Sequence, residues 1–216
     1  MNFMDVRPQT ILRLRYALCL AVAWLGLVSG QAAAGSIEFS AASASEIVER
    51  QCSICHGAKG QGSNPTFPKL AGQNFDYLVK QIRNFKSGVR RGTMMWAQLQ
   101  NIADLEILEL ARYFSNQPLT PSLLHDVALR KSGQDIHVAG LTARGIPPCA
   151  ICHGPVARGQ QHVPRLAGQH ADYIAAQLNR FIDDTRANGQ TGTHPVALLL
   201  ADDEIRAVSY FLSGLE

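Results

Sequence analysis

Two five-residue strings constrain this 216-residue chain more than anything else in it: CSICH at 52–56 and CAICH at 149–153. Each is a C-x-x-C pair with a histidine directly after it. The spacing suits one piece of chemistry. Two thiols held in this way can add to the two vinyl groups along one porphyrin edge, and the adjacent histidine can then swing under the ring and offer a nitrogen to iron. This is the attachment signature of haem c. A redox C-x-x-C pair needs neither the histidine nor a second copy. A zinc site would need both pairs to converge on one metal. Two disulfides are possible for four cysteines in an exported chain, but they leave the histidines unexplained. The reading is therefore two covalently bound haem c groups, held by Cys52, Cys55, Cys149 and Cys152, with iron on His56 and His153.

The first residues bear on the compartment. Arg7, Arg13 and Arg15 precede an apolar run from Tyr16 to Val28, and Ala32, Ala33 and Ala34 follow. A basic start, a short apolar stretch and an A-x-A site predict a secretory signal peptide over 1–34. A bilayer-spanning helix needs about 20 apolar residues, more than this run supplies. A periplasmic protein with no transmembrane segment in the mature chain follows. The leader removes Cys19, three arginines and Asp5, which leaves 17 basic against 16 acidic side chains. That balance points to neither a nucleic acid nor an anionic membrane surface as partner.

The similarity between the two halves extends well beyond the cysteines. LAGQ recurs at 70–73 and 166–169, and Tyr77/Tyr173, Gln81/Gln177, Phe85/Phe181 and Arg90/Arg186 keep the same offset. ADLEILELARYF (103–114) is answered by ADDEIRAVSYF (201–211). The repeat predicts one domain over 36–117, a linker at 118–121 punctuated by Pro118 and Pro121, and a second domain over 122–216. Phe75, Leu78, Ile82 and Phe85 fall at helical spacing. Leu105, Leu108 and Ala111, with Ile107, Leu110 and Phe114, predict a last helix. Glu46 to Gln51 predicts an opening helix capped by Ser43 or Ser45. No run alternates with period two, so the fold class is all-α. A domain of this size has a small core, and the haem must supply much of its apolar filling.

With CxxCHG twice, P-x-L-A-G-Q or its like twice, Y-x-x-x-Q-x-x-x-F twice and GIPPCAICHGP at 145–155, the sequence resembles the cytochrome c4 family over nearly all of the mature chain. The resemblance implies two tandem class I cytochrome c domains that carry electrons, with redox proteins such as a terminal oxidase or a dehydrogenase as partners. It implies that the carbonyls of Pro68 and Pro164 accept a hydrogen bond from the second nitrogen of His56 and His153. Tyr77, Tyr173, Arg90 and Arg186 are candidates for contact with haem propionates, with core packing the other reading for the tyrosines.

In that family each iron takes a methionine before the last helix as its second axial ligand. Met95 lies nine residues before Asp104 and fits that register, with Met94 as the neighbour that could replace it. The second half has no methionine. Counting back nine from Asp202 reaches Thr193, with His194 next, so His194 is the candidate sixth ligand there. His162 and His170 are the reserves, and an open iron is the remaining possibility. His125 and His137 precede the second motif and read as surface residues. A periplasmic diheme electron-transfer protein, not an enzyme, is the function expected. The alternatives are the haem subunit of a periplasmic dehydrogenase complex, or a haem enzyme or gas-binding protein that uses an open second iron.

Overall fold

The computed structural model describes residues 41–186 and 194–216. The expected leader, residues 1–34, lies outside them, as does Thr193. The described chain is helical. Its only extended pairings there are the isolated bridges Leu141–Ile146 and Gln160–Val163, as the absence of period-two runs implies.

In the first half, α1 (Ala41–Ile47) winds through a π-helical turn (Val48–Cys52) into α2 (Ser53–His56). The expected opening helix is thus the middle of a longer helical run, with positions 43 and 45 inside it and not at its start. α3 (Phe75–Lys86), α4 (Thr93–Leu99) and α5 (Asp104–Ser115) follow. The second half repeats the plan with α6 (Val127–Ala139), α7 (Ala150–His153), α8 (Ala171–Ile182) and α9 (Asp202–Ser213). A 3-10 turn, Pro195–Leu199, stands where the first half has α4. Gly140 ends α6 with a positive φ of 70°. A loop then separates helix from haem motif, so the two halves enter their motifs differently.

Each half closes on its last helix. Ile107, Leu110, Ala111 and Phe114 of α5 are buried with Leu78 and Val79 of α3. Ala207, Val208, Phe211 and Leu212 of α9 are buried with Ile136 and Ile174. Leu105 does not join them; it is 56% exposed, because it lies on the far side of α5 from Ile107 and Leu110. Both last helices begin alike: Glu106 accepts from Ala103 N at 2.7 Å and Glu204 from Ala201 N at 2.8 Å, each satisfying one exposed helix-end donor. The α6–α9 crossing depends on Gly133. A Cβ there would lie 2.1 Å from Ala207 O and 2.6 Å from Phe211 Cβ.

The halves meet through polar groups in near-twofold fashion. Gln169 accepts from Lys69 N and donates to Lys69 O, both at 2.8 Å. Gln73 accepts from Arg165 N at 2.7 Å and donates to Arg165 O at 2.9 Å. Each LAGQ glutamine therefore clips the backbone of the residue just before the other LAGQ. Asn74 and His170, next in each repeat, also reach across, to Val163 O at 2.8 Å and to Gln61 O at 3.2 Å.

Candidate haem sites

α2 and α7 are single turns whose last residue is the motif histidine, and Gly57 and Gly154 after them take φ of 74° and 83°. A left-handed residue there turns the chain back at once. The loop that follows starts alike in both halves. Gly62 N donates to His56 O and Gly159 N to His153 O, each at 2.8 Å. Leu70 and Ala71 donate to Gly60 O; Leu166 and Ala167 donate to Ala157 O. This wrap carries each proline back over its histidine. His56 Nδ1 donates to Pro68 O and His153 Nδ1 to Pro164 O, both at 3.0 Å. The residue missing from the second loop is absorbed between Gly159 and Pro164, where Gln161 takes φ 48°.

These bonds leave Nε2 of each ring as the nitrogen with a free lone pair. Burial is the main cause that lowers the pKa of His56, His153 and His194, bringing His153 to about 4, with His194 and His137 adding to the effect there. The imidazoles are therefore neutral at neutral pH, the form that binds metal. The thiols fit attachment better than redox exchange. All four cysteines are free, and burial pushes Cys52 up to about 11, whereas exchange-active C-x-x-C thiols are held low.

The two halves differ in the segment before the last helix. Met95, on α4, packs against the first core, while Met94 beside it is 58% exposed. In the second half the ring of His194 lies 6.5 Å from that of His153, with the planes only 19° apart. Imidazole nitrogens hold a metal at about 2 Å, so two rings sharing one metal end-on would sit roughly 6 Å apart at their centres. Phe181 supports the His194 ring at 5.4 Å. His194 Nδ1 is buried and has no hydrogen-bond partner among the described residues. His162 is exposed, and His170 is committed to Gln61 O.

Arg90 and Arg186 are both buried and lie across the interface. Arg90 donates to Gln81 at 2.7 Å, Gln177 at 2.8 Å and Tyr173 OH at 2.9 Å. Arg186 donates to Gln177 and to Tyr77 OH, both at 2.8 Å. The guanidiniums stack on Phe85 and Phe181, 4.4 and 4.6 Å from the ring centres. Burial raises the Tyr173 pKa, but Arg90 and Arg186 outweigh it and hold the phenol below its usual range. Each tyrosine hydroxyl thus accepts from a buried arginine of the other half.

Sequence reasoning missed two features. The glutamines at 73, 81, 169 and 177 are all buried, and their exact repetition in both copies was the available signal. His125 is exposed as expected, but His137 is not a surface residue. It is 0% exposed, on the face of α6 that meets α9, and its Nε2 lies 3.2 Å from Pro155 O.

Tandem cytochrome c domains, each bearing one attachment motif, make this molecule a diheme c-type cytochrome. Residues 147–216 match the cytochrome c family model, and residues 39–114 match the model described as cytochrome C oxidase, cbb3-type, subunit III. The chain is 40% identical over 168 residues to cytochrome c4 of Thiocapsa roseopersicina, which covers 76% of this chain and 86% of that one. It is 35% identical over 169 residues to a thiosulfate dehydrogenase electron acceptor of Thiomonas intermedia, covering 76% and 77%. The crystal structure of reduced recombinant cytochrome c4 from Pseudomonas stutzeri matches with a TM-score of 0.75 at 34% identity, over 81% of this chain and 97% of that one. The chain belongs to the cytochrome c4 family: it binds two covalent haem c groups and carries electrons, and is not an enzyme. Among the described residues no helix is long and apolar enough to cross a membrane.

Proposed function

We propose that the two haem domains are unequal, with electrons entering at the second and leaving from the first. Bound haem would supply a one-electron iron couple. His56 and Met95 would hold it in the first domain, and His153 and His194 in the second. The observation that carries this reading is the facing pair of His153 and His194 rings, set against a core-packed methionine in the first half. A thioether ligand favours ferrous iron and raises the potential. An imidazole lacks that preference, and axial ligand identity moves haem potentials over about 0.8 V in all. The second domain would then hold its electron less tightly, and transfer to the first would run downhill.

Tyr77, Tyr173, Arg90 and Arg186 would serve the propionates. Arg90 is 5% exposed and in no ion pair among the described residues. A buried charge in that condition is costly, and a propionate would relieve it. The chain acts in the periplasm after cleavage at residue 34, between a donor dehydrogenase and a respiratory acceptor such as a terminal oxidase. Similarity to a thiosulfate dehydrogenase electron acceptor supports a dehydrogenase as donor. The test is a redox titration. The wild type should give two waves, and His194→Met should lift the lower one toward the upper. Unchanged potentials with an unchanged low-spin spectrum in His194→Ala would remove His194 from the iron.

A further inference from the structure

The loop between the motif histidine and the proline that accepts its Nδ1–H follows the same plan in both halves, one residue shorter in the second, but it is pinned from different places. In the first half Tyr113 OH, on α5, donates to Ala58 O at 2.9 Å. Tyr210 holds the same place on α9, yet its hydroxyl is turned elsewhere. It accepts from His125 N at 2.7 Å and Asp126 N at 2.8 Å, and so fastens the start of α6. The carbonyl equivalent to Ala58 O is Pro155 O, and it receives Nε2–H of His137 at 3.2 Å. The first half has an aliphatic side chain where His137 stands. The buried set Ala44, Ile47 and Val48 on the first helical run is matched in burial and spacing by Gly133, Ile136 and His137.

A fully buried imidazole in place of a valine is expensive unless its polar atoms are used. Here Nδ1 has no partner among the described residues, so the whole compensation comes from the bond to Pro155 and the ring contact with Phe211 at 5.7 Å. The loop also has a reason to need the anchor. Ala157, two residues after Pro155, is 0% exposed and takes φ 54°, where the first half has Gly60 at φ 69°. A non-glycine residue there is strained and persists only when its surroundings hold it. Ala157 O in turn receives Leu166 N and Ala167 N, which fixes the segment carrying Pro164.

We infer that His137 is a positioning residue of the second haem site: it takes over the work of Tyr113, pinning Pro155 so that the wrap from Ala157 to Pro164 keeps its hold on His153. This rests on the reading of His153 as the axial ligand. The experiment is His137→Val, the first-half residue, made in the holoprotein beside His137→Gln, whose amide can still donate to Pro155 O. Valine should shift only the second wave of the redox titration and only the second haem's electron paramagnetic resonance signal. Glutamine should restore both toward wild type. Tyr113→Phe is the mirror variant and should move only the first haem's signals; it keeps the inference testable if His137→Val fails to fold. Valine leaving both second-haem signals unmoved in a folded protein would overturn the inference, as would equal shifts at both haems. So would a Tyr113→Phe variant that leaves the first haem unaffected. His153→Ala separates the premise: a second haem that stays low-spin there refutes the ligand itself, whatever His137 does.

Discussion

Replacing Gln169 by alanine should loosen the two haem domains from each other. Gln169 makes the two 2.8 Å bonds to Lys69 N and O and also accepts from His170 N at 2.9 Å. Lys69 is 6% exposed. Each bond contributes about 1 kcal/mol net, and a buried group left unpaired costs roughly 1–3 kcal/mol. The Lys69 amide and carbonyl would both be stranded, so the expected loss is about 3 kcal/mol. Gln73→Ala strands Arg165 N and O, which lie where water reaches more readily, and about 2 kcal/mol is expected there. Urea unfolding measures the sum, and hydrogen exchange at the Lys69 amide locates it. The unfolding transition should broaden or split relative to wild type, because the lost bonds join halves that each keep a core. Internal electron transfer between the haems should slow as their spacing becomes less fixed. A loss below about 0.5 kcal/mol, the range of an ordinary surface change, with Lys69 protection intact, would refute the idea that the glutamines clasp the domains.

Three further outcomes follow. Met95→Ala should abolish the sulfur-to-iron band near the red end of the oxidised spectrum and Met94→Ala should leave it; the reverse would move the ligand to Met94. Gly60→Ala should destabilise the first domain by about 1–3 kcal/mol in thermal unfolding, since the new Cβ would lie 2.7 Å from Phe114 Cδ1 at a positive φ; an unchanged melting curve would contradict this. Mass spectrometry of protein from an export-competent host should show two haems added to residues 35–216, and one or none would contradict the motif reading.

What the sequence made legible was local or repeated. C-x-x-C-H needs only adjacent residues. The stripe on α3 and the closing helices obey one period, and each recurs. Met95 and Met94 are neighbours in sequence; the register before the last helix favours Met95, and burial separates the two in the same sense. Leu105 shows the limit of that period: it shares the helix with Ile107 and Leu110 but faces solvent. His137 was misplaced because its partner, Pro155, lies beyond a loop with no counterpart in the first half. A lone histidine on a polar helix carries no sign of the tyrosine it stands in for. The clasp of Gln73 and Gln169 joins residues about a hundred positions apart. The exact recurrence of LAGQ marked the glutamines as constrained without showing by what.

The central claim is that one chain holds two differently ligated irons, and the ligands can be counted directly. Electron paramagnetic resonance and near-infrared magnetic circular dichroism of the fully oxidised wild type should resolve one histidine–methionine centre and one bis-histidine centre in equal amounts. His194→Ala should remove only the second. Two histidine–methionine signals, or a high-spin second iron that binds carbon monoxide on reduction, would contradict the account.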